Sequence, residues 1–181
     1  MKKFELTNEF ITNMFGTKLF RIRALVEFGD VEAGELGGYV EKESNLGHDD
    51  NAWVYDNARV YGNARVYGDA QVSGDAWVYG NARVCGDALV CGNARVCSDE
   101  DYAYAHGFGS VNRTTTFFRL KDGGVGVRCG CFYGTLAQFR DKIRETHGET
   151  KKAQEYLMLA DLMELRFEED ENEVGNRKYV E

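Results

Sequence analysis

The sequence predicts a mainly β protein: a short parallel β-helix of hexapeptide repeats, with an N-terminal cap and a small C-terminal α+β unit. Three observations predict this fold class. The pattern [Asn/Asp]-Ala-x-Val recurs eight times between residues 51 and 96 without a register slip. The chain has 21 glycines and no proline, which suits tight turns between strands that need their N–H groups. After residue 97 the period of six ends, and hairpin and helix patterns follow.

The spacing within each repeat predicts which side chains fill the coil. Alanine and valine are two positions apart, so on a strand they share one face, and this face is the interior. The residue between them and the residue after valine point outward. Glycine follows at six of the junctions and Asn or Asp comes next; these residue types tolerate the left-handed backbone of a corner. Three repeats close one coil, so equivalent positions three repeats apart stack.

The coil is expected to begin before the regular array. Residues 37–40 and Leu46 place apolar side chains six apart, and two extra residues then precede Val54. We predict a bulged corner over residues 47–50. Upstream, residues 18–25 alternate as in a strand, and the N-terminal segment is predicted to cap the open end of the β-helix.

The chain after the array predicts a hairpin and two helices. Residues 114–120 and 125–132 flank an Asp-Gly turn, as in a β-hairpin. Thr135 and Gln138 form a capping box that begins one helix, Gly148 ends it, and a second helix is predicted over 151–167. The expected division is a cap over 1–36, the β-helix over 37–98, the α+β unit over 99–167 and an acidic tail over 168–181.

Outward side chains at equivalent positions of stacked repeats are predicted to form ladders. One interpretation is a set of self-stacking surface side chains, with arginine against tryptophan. The other is a contact surface, because exposed Tyr, Trp and Arg are enriched at interfaces. The binding candidates are Arg59, Trp77 and Arg95 in one ladder, Arg65 and Arg83 in a second, and Tyr61 and Tyr79 after the valines; Trp53, Gln71 and Leu89 form a further outward ladder.

Charge and composition exclude several classes of protein. The net charge is −8, so direct nucleic-acid binding is not expected. A signal peptide and a long apolar stretch are both missing from the sequence, which predicts a soluble, cytoplasmic protein. Three of the five cysteines, Cys85, Cys91 and Cys97, fall on different faces of the coil and are expected to be reduced thiols.

Candidate catalytic and metal-binding residues are few. His48 is the only histidine near the array and is a weak candidate for a general base; a solvated residue at a bent corner is the alternative. Cys129 and Cys131 could join His106 and His147 in a zinc site only if the fold brought all four together, and a packed thiol pair is the favoured interpretation. We therefore expect no catalytic residue, no metal and no cofactor.

A glycine-containing loop over residues 107–113 is the most suggestive loop. Glycine lets backbone N–H groups approach an anion, and Ser110 and Arg113 could hold a phosphate or a carboxylate. A plain connecting loop is the alternative.

Three parts of the chain together carry a family resemblance. They are residues 20–25 with 28–31 and 37–41, the Asn-Ala-Arg-Val-Tyr-Gly array, and residues 130–135 with 145–148. The chain resembles the phage- and prophage-borne hexapeptide-repeat proteins described as transferase-like, and its array resembles the left-handed β-helix of the hexapeptide acyltransferases. The resemblance implies a left-handed coil and a homo-oligomer, either a trimer or a dimer.

The expected function is that of a non-enzymatic phage-type binding protein. Such a protein would act in the host cytoplasm, either by binding a bacterial defence protein or by sequestering a nucleotide signal. Two alternatives remain: an acyltransferase that uses acyl-coenzyme A, and a purely structural trimeric scaffold. Fold alone does not decide between them.

Overall fold

The computed structural model describes residues 2–109 and 111–168. It is mainly β: a solenoid of about three coils is followed by an antiparallel sheet and two helices. This confirms the predicted fold class. The handedness of the coil stays a prediction from the resemblance.

Eight two-residue strands build the regular part of the solenoid, one in each repeat. Strands three repeats apart pair in parallel, as predicted. All eight alanines and all eight valines of the repeats are fully buried. The strands are β4 (Trp53–Val54), β5 (Arg59–Val60), β6 (Arg65–Val66), β7 (Gln71–Val72), β8 (Trp77–Val78), β9 (Arg83–Val84), β10 (Leu89–Val90) and β11 (Arg95–Val96).

The N-terminal segment extends one side of the solenoid. It forms β1 (Phe4–Thr12), β2 (Lys18–Ala24) and β3 (Leu36–Val40). The strand predicted over 18–25 is β2, whereas β1 was not predicted. The first three strands are antiparallel, and β3 then runs parallel beside β5, giving a six-stranded sheet in the order β1-β2-β3-β5-β8-β11. Phe4 and Ile22 join the valines in one hydrophobic core.

The predicted bulge occurs at the first corner of the solenoid. Leu46 forms a parallel β-bridge with Val66, and the two are further apart in the sequence than paired residues of the regular repeats because the two extra residues lie between them. Asp50 in this corner has a φ of 59°. The Lys3 ammonium group donates to the carbonyl oxygens of Asp50 at 3.2 Å and Ala52 at 2.8 Å. Burial lowers the pKa of Lys3 to about 8. A cap lysine thus satisfies the main-chain acceptors that the bulge frees.

Trp53 corrects one expectation about the outward ladders. Its side chain leaves the coil on the outer side, in register with Gln71, yet it is fully buried. The indole packs edge-on against Phe4 and Phe28, with ring centroids 6.2 and 5.3 Å away. The N-terminal segment covers this part of the solenoid, so Trp53 belongs to the core.

The C-terminal part contains the predicted hairpin and both predicted helices. The strands are β12 (Tyr102–Phe108), β13 (Arg113–Arg119), β14 (Val125–Cys129) and β15 (Phe132–Thr135), and the helices are α1 (Leu136–His147) and α2 (Lys151–Phe167). Thr135 caps α1 through the predicted box with Gln138. The second hairpin strand is shorter than predicted, because Gly130 turns the chain at a φ of 56° and a further strand begins.

The four-stranded sheet closes the last coil. Phe118 on one face joins the solenoid core, whereas Phe117 on the other face packs under the helices. The Tyr102 hydroxyl donates to the Arg83 carbonyl oxygen at 2.6 Å. The buried Asp101 carboxylate accepts from the backbone N–H groups of Cys97 and Ser98, both at 2.9 Å.

None of the described helices is long and apolar enough to cross a membrane. No disulfide links the five cysteines, all of which lie in the described part of the chain.

Candidate binding surface

One ladder of outward side chains runs across five strands of the six-stranded sheet. Successive members of this ladder are backbone register partners on adjacent strands, in the order β2, β3, β5, β8 and β11. The members alternate a guanidinium and an aromatic group, and we name them the cation–aromatic ladder: Arg21, Tyr39, Arg59, Trp77 and Arg95. The sequence predicted the last three members. The first two are added because the N-terminal strands continue the same sheet.

The ladder is held by cation–π contacts. The guanidinium carbon of Arg95 lies 4.1 Å from the Trp77 ring centroid, and that of Arg59 lies 5.0 Å from the same centroid. Arg21 lies 5.3 Å from the centroid of Tyr39. All three distances are within the roughly 6 Å over which the ring quadrupole attracts a cation. Trp77 is therefore sandwiched between two positive charges.

A tyrosine pair lies beside this ladder. Tyr61 and Tyr79 stack with ring centroids 5.4 Å apart and planes 11° apart, and Tyr61 meets Trp77 edge-on at 6.4 Å. Burial raises the pKa of both phenols, that of Tyr79 to about 12. Both hydroxyls are thus protonated at neutral pH. The pair adds hydrogen-bonding groups and apolar ring edges to the same face.

The two ends of the ladder differ in charge balance. At the N-terminal end, Arg21 is 3.5 Å from a carboxylate oxygen of Glu9, and the Tyr39 hydroxyl accepts from Arg21 and donates to Glu9. By contrast, Arg59 and Arg95 form no ion pair with any carboxylate in the described ranges 2–109 and 111–168. The solenoid end of the ladder therefore carries two positive charges that form no ion pair with these residues, although the nearby Asp75 carboxylate favours the charged form of Arg95.

Main-chain hydrogen bonds orient Arg95, whereas Arg59 is held by its contact with the Trp77 ring. The Arg95 guanidinium donates to the carbonyl oxygens of Asp75 at 3.0 Å and Ala94 at 2.8 Å. Burial lowers the pKa of Arg95, but an arginine stays charged at physiological pH. The Nε atom of Arg59 is buried and has no hydrogen-bond partner. Both side chains are half-buried, so their charged ends are presented in fixed positions.

The other predicted arginine pair lies apart from this ladder. Arg65 and Arg83 are opposite each other in the two-stranded sheet of β6 and β9, and both are exposed. Neither forms an ion pair with a described residue. The structure thus groups Arg59, Arg95 and the neighbouring aromatic residues on one sheet and leaves Arg65 and Arg83 on another.

His48 lies in a cleft of about 520 Å³ beside the bulged corner, whose lining also includes Glu43, Arg65 and Tyr67. The imidazole stacks on Phe4, with ring centroids 4.4 Å apart. Its Nδ1 atom accepts a hydrogen bond from the backbone N–H of Lys3 at 3.2 Å.

This hydrogen bond determines what His48 can do chemically. Because Nδ1 is an acceptor, the proton of the neutral ring is on Nε2, which lies 4.0 Å from a Glu43 carboxylate oxygen. A general base needs a free nitrogen lone pair directed at the substrate. His48 does not offer one in this arrangement, and its contacts are those of a residue that holds the N-terminal cap.

In the loop over residues 107–113, the packing of Tyr156 leaves no room for a side chain at Gly109. The Tyr156 hydroxyl donates to the Phe108 carbonyl oxygen at 3.2 Å and would collide with any Cβ atom at Gly109. Arg113 is exposed and lies over Gly130. Ser110, the other predicted anion ligand, lies outside the described residues.

The residues of the possible zinc site have separate contacts. His106 bonds to Thr114 at 2.9 Å, and His147 stacks on Tyr156 at 6.0 Å. Cys129 lies at the end of β14, beside Thr115, and Cys131 follows the turn. No group of three or more potential metal ligands occurs among the residues that the structure describes.

Comparison with known proteins identifies the repeat. The YdcK beta solenoid repeat matches four overlapping segments, residues 52–68, 58–74, 70–86 and 76–92. A search of curated proteins finds no significant match. Residues in the array therefore form a hexapeptide-type β-solenoid, in agreement with the parallel pairing of strands three repeats apart.

Proposed function

We propose that this chain is a non-enzymatic binding protein whose cation–aromatic ladder docks onto an acidic surface of a protein partner. One observation carries the proposal: Arg59 and Arg95 sandwich Trp77 and form no ion pair with any carboxylate of the described residues. In a chain of net charge −8, such a face is a local exception to the overall charge.

The ladder has the physical properties of a contact surface. Contact with the Trp77 ring orders both arginine side chains and main-chain hydrogen bonds further order Arg95, so less rotamer entropy is lost when a partner binds. Arginine in this setting can form a bidentate pair with a carboxylate. Tyr61 and Tyr79 add a residue type that is enriched among the residues contributing most to binding at interface centres.

A narrower form of the proposal concerns the partner. The resemblance to phage-borne proteins favours a bacterial defence protein in the host cytoplasm as the acidic partner. A phosphorylated small molecule, such as a nucleotide signal, is the alternative ligand for the same arginines. Size distinguishes them, because a small ligand would need only the arginines around Trp77, whereas a protein would cover the tyrosine pair as well.

Affinity capture with charge-reversed variants tests the proposal. Tagged wild type and the Arg59→Glu/Arg95→Glu variant are used as baits in a bacterial lysate. The matched control is Arg65→Glu/Arg83→Glu, which makes the same change at the same repeat position on another sheet. We expect partners of wild type to be retained by the control and lost by the ladder variant. Retention of every partner by the ladder variant, with its circular dichroism unchanged, would contradict the proposal.

Phage plating tests the narrower form. The gene is expressed in strains with and without defined defence systems, alongside both charge-reversed variants. We expect wild type and the control variant to restore plating on at least one defended strain, and the ladder variant to fail. Restoration by the ladder variant would separate any such activity from this surface.

A further inference from the structure

A run of acidic residues follows the end of α2 in the sequence. Four of the five residues from Glu169 to Glu173 carry a carboxylate, and we name residues 169–173 the acidic run. Residues 169–181 of the predicted acidic tail lie outside the described part of the chain. The last described residue, Glu168, is exposed and has an extended backbone, with φ −60° and ψ 133°, so α2 ends before the run begins.

Contacts at the end of α2 hold the helix against the last coil of the solenoid. The Arg166 guanidinium donates to the Asp99 carbonyl oxygen at 3.4 Å. The Arg119 guanidinium donates to the Phe167 carbonyl oxygen at 3.1 Å, and its carbon lies 5.3 Å from the centroid of the Phe167 ring. Asp99 belongs to a corner of the solenoid, where its carboxylate accepts from the Arg83 backbone N–H at 2.7 Å. The point from which the acidic run starts is therefore fixed relative to the solenoid.

The acidic run is long enough to reach the cation–aromatic ladder from this point. Asp99 lies at the corner that follows β11 and is four residues after Arg95, so their Cα atoms are at most about 14 Å apart. The chain from Arg166 to Glu173 spans up to about 23 Å when it is extended. The long side chains of arginine and glutamate add to this reach. Chain length therefore permits carboxylates of the run to meet Arg95.

The ladder is an ordered cationic group close to this anchor. The guanidinium carbons of Arg59 and Arg95 lie 5.0 and 4.1 Å from the centroid of the Trp77 ring. The hydroxyl of Tyr79 beside them is protonated at neutral pH, because burial raises its pKa to about 12, so it can donate to a carboxylate. Arg83 also lies near the corner, but its side chain is exposed and stacks on no aromatic ring of the described residues. Pairing with an ordered arginine loses less side-chain entropy, which favours the ladder.

We propose that the acidic run binds the cation–aromatic ladder of its own chain and covers it until an acidic partner displaces it. Carboxylates of the run pair with Arg59 and Arg95, the two arginines of the ladder that form no ion pair with the described residues. The contact is autoinhibitory, because the run and a partner compete for the same guanidinium groups. It rests on the proposed function for the identity of the site, but it forms within one chain and can be tested without a partner.

The tether allows a weak contact to be populated. A short linker gives the run an effective concentration on the order of millimolar at the ladder. Each ion pair is partly exposed to solvent and therefore weak, and the Asp75 carboxylate near Arg95 reduces the local positive charge. We expect an equilibrium between a covered and an open ladder. High salt and acidic ligands shift it towards the open form, because salt screens exposed pairs and ligands compete with the run.

Fluorine NMR of the full chain labelled with 5-fluorotryptophan tests the contact in the absence of a partner. Trp77 reports on the ladder, and the fully buried Trp53 is an internal control. The tail variant keeps the full length and removes the four charges of the run: Glu169→Gln, Asp170→Asn, Glu171→Gln and Glu173→Gln. We expect the Trp77 signals of wild type and tail variant to differ at low salt and to coincide at about 1 M salt, with Trp53 unchanged. Trp77 signals that coincide at low salt would overturn the proposal.

Zero-length cross-linking identifies where the run lies. Arg95→Lys places an amine on the ladder, and a carbodiimide joins it to an adjacent carboxylate as an amide, with the carbodiimide converted to its urea. Arg83→Lys, at the equivalent repeat position on another sheet, is the matched control. We expect mass spectrometry to find links from position 95 to residues 169–173 within the monomer, several-fold more than from position 83. Equal yields at both positions, or a yield at 95 that falls on dilution, would contradict an intramolecular contact with the ladder.

A synthetic peptide with the sequence of residues 168–174 tests competition for the ladder. Titrated against the Trp77 fluorine signal, it should bind the tail variant several-fold more tightly than wild type, whose own run occupies the site. Adding Arg59→Glu/Arg95→Glu to the tail variant should abolish this binding. Equal binding by wild type and tail variant would overturn the proposal. If the peptide competes as expected but wild type and tail variant both capture no cellular protein, the proposed function fails and the autoinhibitory contact stands.

Discussion

The guanidinium group of Arg95 lies over the indole ring of Trp77, with its central carbon 4.1 Å from the ring centroid. Their backbones are register partners on β11 and β8, which lie three repeats apart in the sequence. The contact therefore follows from the repeat itself. Because Arg59 occupies the other side of the same ring at 5.0 Å, the order of the ladder depends on Trp77.

A double-mutant cycle should measure the coupling between Arg95 and Trp77. The cycle combines Arg95→Ala, Trp77→Ala and the double variant in urea denaturation. We expect a coupling of about 0.5–1 kcal/mol, the usual range for a partly exposed cation–π pair. The same cycle on Arg65 and Arg83, which are register partners with like charges, should give a coupling of opposite sign. A coupling near zero for Arg95 and Trp77 would show that their proximity contributes nothing to stability.

The hydrogen bonds of Asp101 should stabilise the end of the last coil. Its carboxylate is buried and accepts from two backbone N–H groups as well as from the Ser98 hydroxyl. All of these bonds end on Oδ2, so Asp101→Asn can keep an acceptor oxygen there but loses the negative charge that strengthens the bonds, and it should lower the free energy of unfolding by about 1–2 kcal/mol. Asp30→Asn, at an exposed carboxylate, is the control and should change it by less than about 0.5 kcal/mol. Equal effects of the two variants in urea denaturation would contradict this account.

The buried Lys3 predicts a rise in stability at alkaline pH. Burial lowers the folded-state pKa of Lys3 to about 8, against 10.5 for the free side chain. Between these values the unfolded chain binds more protons than the folded one, so the free energy of unfolding increases with pH over that window. The difference between wild type and Lys3→Met should therefore grow in favour of wild type from about pH 8 to about pH 10. Tyrosines with raised pKa values oppose the trend only above about pH 10, where unfolded tyrosine ionises. A difference that is flat with pH would show that the fold does not lower the pKa of Lys3.

Gly37 should tolerate no side chain. A Cβ atom there would lie 2.5 Å from the Val54 carbonyl oxygen and 2.8 Å from the Trp53 ring. Gly37→Ala should therefore force the N-terminal sheet away from the solenoid and cost about 1–3 kcal/mol. At Gly47 the nearest atom would be 3.2 Å away, so Gly47→Ala is expected to cost less. Thermal unfolding of both variants compares them directly, and an equally mild effect at Gly37 would be contrary to the close packing seen.

The interior of the solenoid could be predicted from sequence because its determinants are local. Ala58 and Val60 are two positions apart, so they share a face whatever their surroundings, and the regular period of six fixes the stacking of Val60 on Val78. The pairing of Arg59 with Trp77 follows from the same period. Thr135 and Gln138 likewise revealed the start of α1, because a capping box involves only neighbouring residues.

Features that depend on distant parts of the chain could not be predicted in this way. Trp53 has the same position in its repeat as Trp77, yet it is buried because Phe4 and Phe28 cover it. Arg21 joins the ladder only because β2 continues the solenoid sheet. No short-range pattern distinguishes these cases, since each depends on where the N-terminal segment docks.

Site-specific photo-crosslinking in living bacteria tests most directly whether the cation–aromatic ladder is a contact surface. A benzophenone amino acid replaces Tyr79 beside the ladder, or Tyr67, which follows the valine of β6 on a different sheet. Irradiation, purification under denaturing conditions and mass spectrometry identify what each position touches. The account predicts a protein adduct from position 79 that is lost on adding Arg59→Glu and Arg95→Glu, and no such adduct from position 67. Adducts of equal yield from both positions, or none from position 79, would contradict it.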